Sequence, residues 1–385
     1  MTWPRDDAKL DRVRALMEEQ GLDAIVARAP DNVFYLTNFW GMKGYDAVVF
    51  PREGEPTLLC LEASADDAAR SAWTSQVRLV PGYLPDDPRP PVVRTLAELG
   101  FAREYGTVGL ELSLGTQASD RMVGEPTTYT KAWFDAFPDA VDATPLLAEA
   151  RAIKTEQELE RLRLANEIAA AAMDHVVGVI RPGMTEAQIA AEWLGFVHGE
   201  GTGWNGQVEL ALGFSLVWAG PGIRTFTATS HRPVVEDEPT LFEIWVCADG
   251  YWADHTKNVV VGELTDVYRE LENGLRSVYD DAVAYCAPGA SLPELDRRIR
   301  AGIEALGYPG QPTHPICHGV GARAHEPPYA HQAGDGTVEK GMVLAIEPGC
   351  YWEGGGGLRL EDNFAIVEGG AEKLSPFPDG IVQAA

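Results

Sequence analysis

An α/β domain followed by an α+β domain with an internal pseudo-twofold duplication is the fold class this sequence predicts, on three observations. Short apolar runs alternate with helical patterns through roughly the first 150 residues, a common domain size. Beyond Thr155 the texture changes to long helices followed by strand-rich sequence, and that succession occurs twice. Each second helix follows a Pro-Gly stop and a capping residue. Arg181-Pro182-Gly183-Met184 precedes Thr185-Glu186-Ala187-Gln188, and Ala287-Pro288-Gly289-Ala290 precedes Ser291-Leu292-Pro293-Glu294. Domains are therefore expected at 1–150 and 151–385.

In chain order, Leu10, Val13, Leu16 and Met17 recur at helical spacing between Arg5 and Gln20, and Gly21 supplies a stop. Ala24 to Ala27 is a strand. Ala47 to Phe50 and Thr57 to Leu61 form a hairpin around the Pro51 to Pro56 turn. Strand signals at Val77 to Val80 and Val108 to Leu110 alternate with helical ones at Ala63 to Trp73 and Val92 to Leu99. The Pro-rich stretch Pro81 to Pro91 is a surface loop, because the alternation resumes after it. In the second domain Thr155 and Glu158 make a capping box, each satisfying an orphan N–H of the other. The second helices run out at Gly199 to Gly203 and Gly307 to Gly310. Two such halves place their strands in one curved sheet with helices outside, and a cleft between halves is a natural place for a site.

The 385 residues carry 58 acidic against 31 basic side chains, a formal charge of −27, which disfavours nucleic acid and anionic lipid as partners. No apolar run is long enough to span a bilayer, and the N-terminus lacks a signal-peptide pattern, so a soluble cytoplasmic protein is expected. Five cysteines without paired spacing fit reduced thiols.

Chemistry concentrates between Cys317 and Asp362. Val343 to Ile346 is an apolar strand delivering Glu347 to its end; Cys317-His318-Gly319 and Leu358-Arg359-Leu360-Glu361-Asp362 set further polar groups in apolar runs. Earlier, Glu243 interrupts a strongly apolar strand, and Asp254 follows across a turn at Asp249-Gly250 that brings the two to about the same level. Their relative faces depend on register. Four converging carboxylates, Glu243, Asp254, Glu347 and Glu361, repel one another unless cations intervene, and two divalent ions neutralise them. Oxygen-rich ligation with one imidazole, His318, suits Mn²⁺ best, with Zn²⁺, Fe²⁺ or Co²⁺ as alternatives.

The spacing Glu243, Asp254, His318, Glu347, Glu361, with His325-Glu326-Pro327-Pro328 after the first histidine, resembles the pita-bread metallopeptidases: aminopeptidase P, prolidase, methionine aminopeptidase and their relative creatinase. Asp31 to Phe39 resembles the early part of the creatinase-type N-terminal domain, and Arg151 to Glu158 the join before the catalytic domain. The resemblance implies a pita-bread second domain, a homodimer, and a metal-dependent hydrolase of C–N bonds in short Xaa-Pro peptides or small amides. It implies that Glu243, Asp254, His318, Glu347 and Glu361 bind metal. It further implies that Glu347 moves the proton and that His325 contacts substrate and steadies charge on the reacting carbonyl oxygen. The alternatives are a metal-independent creatinase-like hydrolase or lyase, and a non-catalytic binding protein on the same fold. Three departures bear on substrate handling. Glu243 replaces the usual aspartate; Thr256-Lys257-Asn258 replaces Thr-Arg-Thr; and Thr225-Phe226-Thr227 stands where a histidine is usual, with His231 the nearest candidate. Trp218 is the tryptophan best placed to line a pocket.

Overall fold

Alternation along the strands decides the architecture of the N-terminal unit. The computed structural model describes residues 3–41, 45–112, 127–225, 227–308, 312–352, 354 and 356–384, which divide into compact units Met1–Arg151 and Ala152–Ala385. Strands β1 (Ala24–Ala27), β2 (Ala47–Pro51), β3 (Thr57–Leu61), β4 (Gln76–Val80), β5 (Val108–Leu110) and β6 (Val141–Asp142) form a mixed sheet in the order β4-β3-β2-β1-β5-β6. Successive side chains go to opposite faces. Ile25, Ala27, Val48, Phe50 and Leu58 enter one core with helix α1 (Asp7–Glu19), whereas Ala24, Val26, Ala47, Val49 and Leu59 enter a second. A sheet buried on both faces needs helices on both, and the chain supplies them.

Helix α2 (Pro30–Thr37) has no sequence signal comparable to that of α1. Its N-cap is Ala29, which makes no side-chain cap; instead Glu111 Oε2 accepts from the backbone N–H groups of Arg28 and Ala29 at 3.0 and 2.7 Å. Helices α3 (Ala65–Ser71) and α4 (Pro91–Glu98) lie where periodicity puts them; α5 (Thr127–Ala136) and α6 (Thr144–Ala152) complete the unit.

Asp46, buried at the start of β2, has a carboxyl oxygen without a hydrogen bond, and burial pushes its pKa from 3.8 up to about 6. The folded state thus binds this proton more tightly than the unfolded chain does. The resulting cost is absent below about pH 4, grows as pH rises through the folded pKa, and is complete above it, at about 3 kcal/mol from the roughly 1.4 kcal/mol per pKa unit. Asp46→Asn should therefore raise the melting temperature at pH 8 and leave it nearly unchanged at pH 4. An equal gain at both values would remove ionisation as the cause.

In the second unit the duplication has a physical signature. Helices α7 (Glu156–Val179) and α8 (Glu186–Gly199) precede β7 (Ala211–Ala219), β8 (Pro239–Ala248) and β9 (Tyr251–Val261); α9 (Asp266–Tyr285) and α10 (Leu292–Ala305) precede the strands from β10 (Cys317–Gly319) onward. At both Pro-Gly turns the glycine has positive φ, +84° at Gly183 and +91° at Gly289, a conformation glycine adopts without a Cβ penalty. Gly183 N donates to Val234 O and Gly289 N to Val338 O; Val234 N returns to Met184 O and Val338 N to Ala290 O. Thr185 and Ser291 cap the second helices.

Strands β10, β11 (Glu326–Tyr329), β12 (Val343–Ile346), β15 (Asp362–Val367) and β16 (Gly370–Lys373) form a five-stranded sheet, β11-β10-β12-β15-β16. Strands β13 (Gly349–Trp352) and β14 (Gly356–Arg359) make a ribbon, and β17 (Ile381–Ala384) joins β9 in the sheet β17-β9-β8-β7. Where one curved sheet was expected, the ladder is divided, with Thr256 bridging Glu361 between the parts. The division falls at Leu360-Glu361, between β14 and β15, where the glutamate takes a side-chain partner on β9.

Candidate metal centre

Register settles which carboxylates can meet. In the β8–β9 hairpin Glu243 stands opposite Thr256 and Trp245 opposite Asp254, so Glu243 and Asp254 are diagonal neighbours on one face. They share that face with Leu216 and Trp218 of β7, which oppose Glu243 and Leu241. From the other half, β10 sets His318 beside Ala345, and β12 ends one residue before Glu347.

The groups converge on His318. Its Nε2 is fully buried, makes no hydrogen bond, and lies 3.3 Å from Glu347 Oε1 and 3.7 Å from Asp254 Oδ2. Its Nδ1 is 3.0 Å from Gly319 O, so with a cation bound Nδ1–H would donate to that carbonyl and Nε2 would supply its lone pair. Donor atoms of His318, Glu347 and Glu361 lie within 4.8 Å of one another, as do those of Asp254, His318 and His325. A buried imidazole nitrogen facing carboxylate oxygens is the donor set a divalent cation takes, and His318, Asp254, Glu347 and Glu361 fit that role.

Thr256-Lys257-Asn258 builds the support. Thr256 Oγ1 donates to Glu361 Oε2 at 2.6 Å, and Asn258 Nδ2 to Arg359 O at 2.8 Å. Lys257 points to the opposite face, where its Nζ lies 2.5 Å from Asp362 Oδ1, with Tyr279 OH 3.0 Å from Oδ2. Asn363 exchanges two hydrogen bonds with the Asp254 backbone, at 2.9 and 2.8 Å. Lysine at 257 thus holds β15, the strand that follows Glu361, from behind. His255, beside that pair, is depressed to about 4, chiefly by burial, and is neutral near pH 7.

Sequence reasoning missed two groups. His314 Nδ1 lies 3.0 Å from Glu347 Oε2, and its Nε2 is 3.2 Å from Tyr351 OH. It precedes β10 in a loop, so no strand alternation flagged it. Arg359 is buried among the carboxylates, 3.2 Å from Glu243, 3.4 Å from Glu361 and 3.9 Å from Glu347, and donates to Thr256 Oγ1. The signal was present: an arginine between two leucines of a buried strand, two residues before Glu361.

These neighbours separate the two glutamates. Burial alone would raise Glu347, but His314 and His318 outweigh it and hold the carboxyl below its usual range. Burial first, and then the charge of Glu347, pushes Glu361 up to about 7 against Arg359 and Thr256. Burial lowers His318, and the adjoining Glu347 more than restores it.

The remaining expected residues fall apart. Trp218 is buried on the ligand-bearing face, its indole N–H donating to Thr227 O, in an apolar cluster with Ile223 and Leu241 against which Tyr351 packs. His231 is exposed, and the backbone on either side of it is bound to the start of α8: Ser230 N donates to Glu186 Oε2 and Glu186 N to Arg232 O. No contact described for the cluster involves it, and its proposed substrate role finds no support there. Phe226 lies outside the described residues.

His325 is the accessible member, with its side chain 27% exposed against 10% or less for the five carboxylate and imidazole candidates. Its Nε2 is 3.4 Å from Asp254 Oδ2, and its ring is tilted at 52° to that of Trp245, with centroids 6.4 Å apart. His325→Ala is expected to reduce turnover by about a hundredfold, the cost of removing one oxyanion donor, with metal content unchanged. Loss of metal would make His325 a ligand instead.

Residues 160–368 match metallopeptidase family M24, and residues 9–153 match the creatinase/prolidase N-terminal domain. The chain is 28% identical to an Xaa-Pro dipeptidase of Lactobacillus delbrueckii subsp. lactis over 96% of each protein. It is 25% identical to an uncharacterized peptidase of Bacillus subtilis, over 97% of this chain and 99% of that one. Its fold is that of a solved prolidase from Pyrococcus horikoshii, with a TM-score of 0.79 at 22% identity over 96% and 99% of the two chains. Aminopeptidase P from E. coli gives 0.72 at 18% identity over 97% and 96%.

Proposed function

Because the chain belongs to metallopeptidase family M24, we propose that it is a divalent-metal-dependent hydrolase of peptide or amide C–N bonds in small substrates, with Mn²⁺ as the preferred ion. The observation that carries this is the buried, unbonded Nε2 of His318 facing Asp254 and Glu347. A divalent ion held there supplies Lewis acidity, which polarises a substrate carbonyl and acidifies water.

The chain's own groups do the rest. Glu347, held ionised by its two histidines, accepts the proton of the attacking water as the O–C bond forms and returns it to the nitrogen as the C–N bond breaks. His314 fixes Glu347 from behind through the 3.0 Å contact. His325, at the accessible edge, donates to the carbonyl oxygen as charge develops.

Two substrate classes fit, short Xaa-Pro peptides and compact non-peptide amides. The name of the Lactobacillus relative favours the first; the sequence Thr225-Phe226-Thr227 in place of a histidine favours the second, because a site without that hydrogen-bonding partner disfavours substrates that depend on it. The test is kcat/KM on both classes with chelated and Mn²⁺-reloaded protein. Cleavage only after reloading supports the reading; full activity in chelated protein overturns it in favour of a metal-independent hydrolase. Among the described residues no helix is long and apolar enough to cross a membrane. A cytoplasmic homodimer remains part of the proposal, its assembly measurable by sedimentation.

A further inference from the structure

Four carboxylates without a cation among them led to an expectation of two divalent ions, and that reckoning left out Arg359. The guanidinium is almost fully buried and touches three of the four: Glu243 through Nη2, Glu347 through Nη1 and Glu361 through Nε. Asp254 stands apart from it, with His318 at 3.7 Å and His325 at 3.4 Å. The cluster therefore has two ends, a guanidinium end where Glu243 lies and an imidazole end where His318 lies.

Glu243 is the residue the arrangement isolates. Its carboxylate stands one methylene farther from the strand than an aspartate's would, and it meets Arg359 at 3.2 Å. It joins neither group of converging donors, both of which contain His318. A second dication beside Glu243 would find no imidazole among its donors and would have to share that carboxylate with the Arg359 guanidinium.

From this we infer that the centre takes one divalent ion per chain, held at the imidazole end by His318 with Asp254, Glu347 and Glu361, and that the Glu243–Arg359 ion pair occupies the place of a second. The inference rests on the metal-dependent reading above. Glu243 is then a counter-ion that orients Arg359 toward Glu361, and the longer side chain is what lets it reach.

The test is a Mn²⁺ titration of chelated protein by calorimetry, with bound metal counted by atomic absorption after desalting. One equivalent is expected in the wild-type chain and one in Glu243→Gln, which keeps the size of the side chain and discards its charge. Two equivalents in the wild type, falling to one in Glu243→Gln, would overturn the inference and leave the metallohydrolase reading intact. No bound ion in the wild type would overturn both. A Co²⁺ absorption titration of the wild type needs no variant: an endpoint at one equivalent supports the single site, and at two it refutes it.

Discussion

Glu347→Gln should lower turnover by about a thousandfold, within the range of about 10² to 10⁴ that a positioned acid–base group contributes. The substitution preserves size and one acceptor oxygen but removes the charge that His314 and His318 hold in place from either side. Its amide cannot accept a proton, so the loss should appear in kcat with KM little changed. Weakened metal binding is a second consequence, because the amide is a poorer donor than a carboxylate. Assays at saturating Mn²⁺ separate the two: a deficit that persists belongs to proton transfer, and one that vanishes belongs to ligation. Near-normal turnover in both conditions would exclude Glu347 as the base.

The order of elements was legible because local signals and burial agree. Leu10, Val13 and Met17 sit on the buried face of α1, and Thr155 and Thr185 make the capping boxes their spacing announces. Helix α2 was hidden because it is only eight residues long and no side chain caps it; the N–H groups that lead into it, those of Arg28 and Ala29, bond to Glu111 more than eighty residues away. The faces of Glu243 and Asp254 were hidden for another reason: with a side-chain period of two, a shift of one residue reverses the answer, and a turn at Asp249-Gly250 does not by itself fix the pairing. The candidate ligands were legible as acids and a histidine in apolar runs. The charge balance among them was not, because Arg359 looks like an ordinary polar position in an alternating strand until the fold buries it.

Removing Arg359 should have the largest effect on stability. In Arg359→Met the aliphatic bulk is retained, while Glu243, Glu347 and Glu361 lose the cation they share. Breaking a buried ion pair from one side costs about 3–5 kcal/mol, because the remaining charge keeps its desolvation penalty without compensation. Metal-free Arg359→Met should therefore melt well below the metal-free wild type, and adding Glu243→Gln should recover part of the loss by removing one stranded carboxylate. That recovery distinguishes electrostatics from packing, since a cavity left by the guanidinium would be unaffected by an amide at 243. Saturating Mn²⁺ should raise the melting temperature of every form that binds it, as binding to the folded state alone stabilises that state. Calorimetric scans of the two variants and the wild type, with and without metal, measure all three effects. Equal melting of Arg359→Met and the double variant would show that Glu243 and Arg359 are not coupled, whatever their separation.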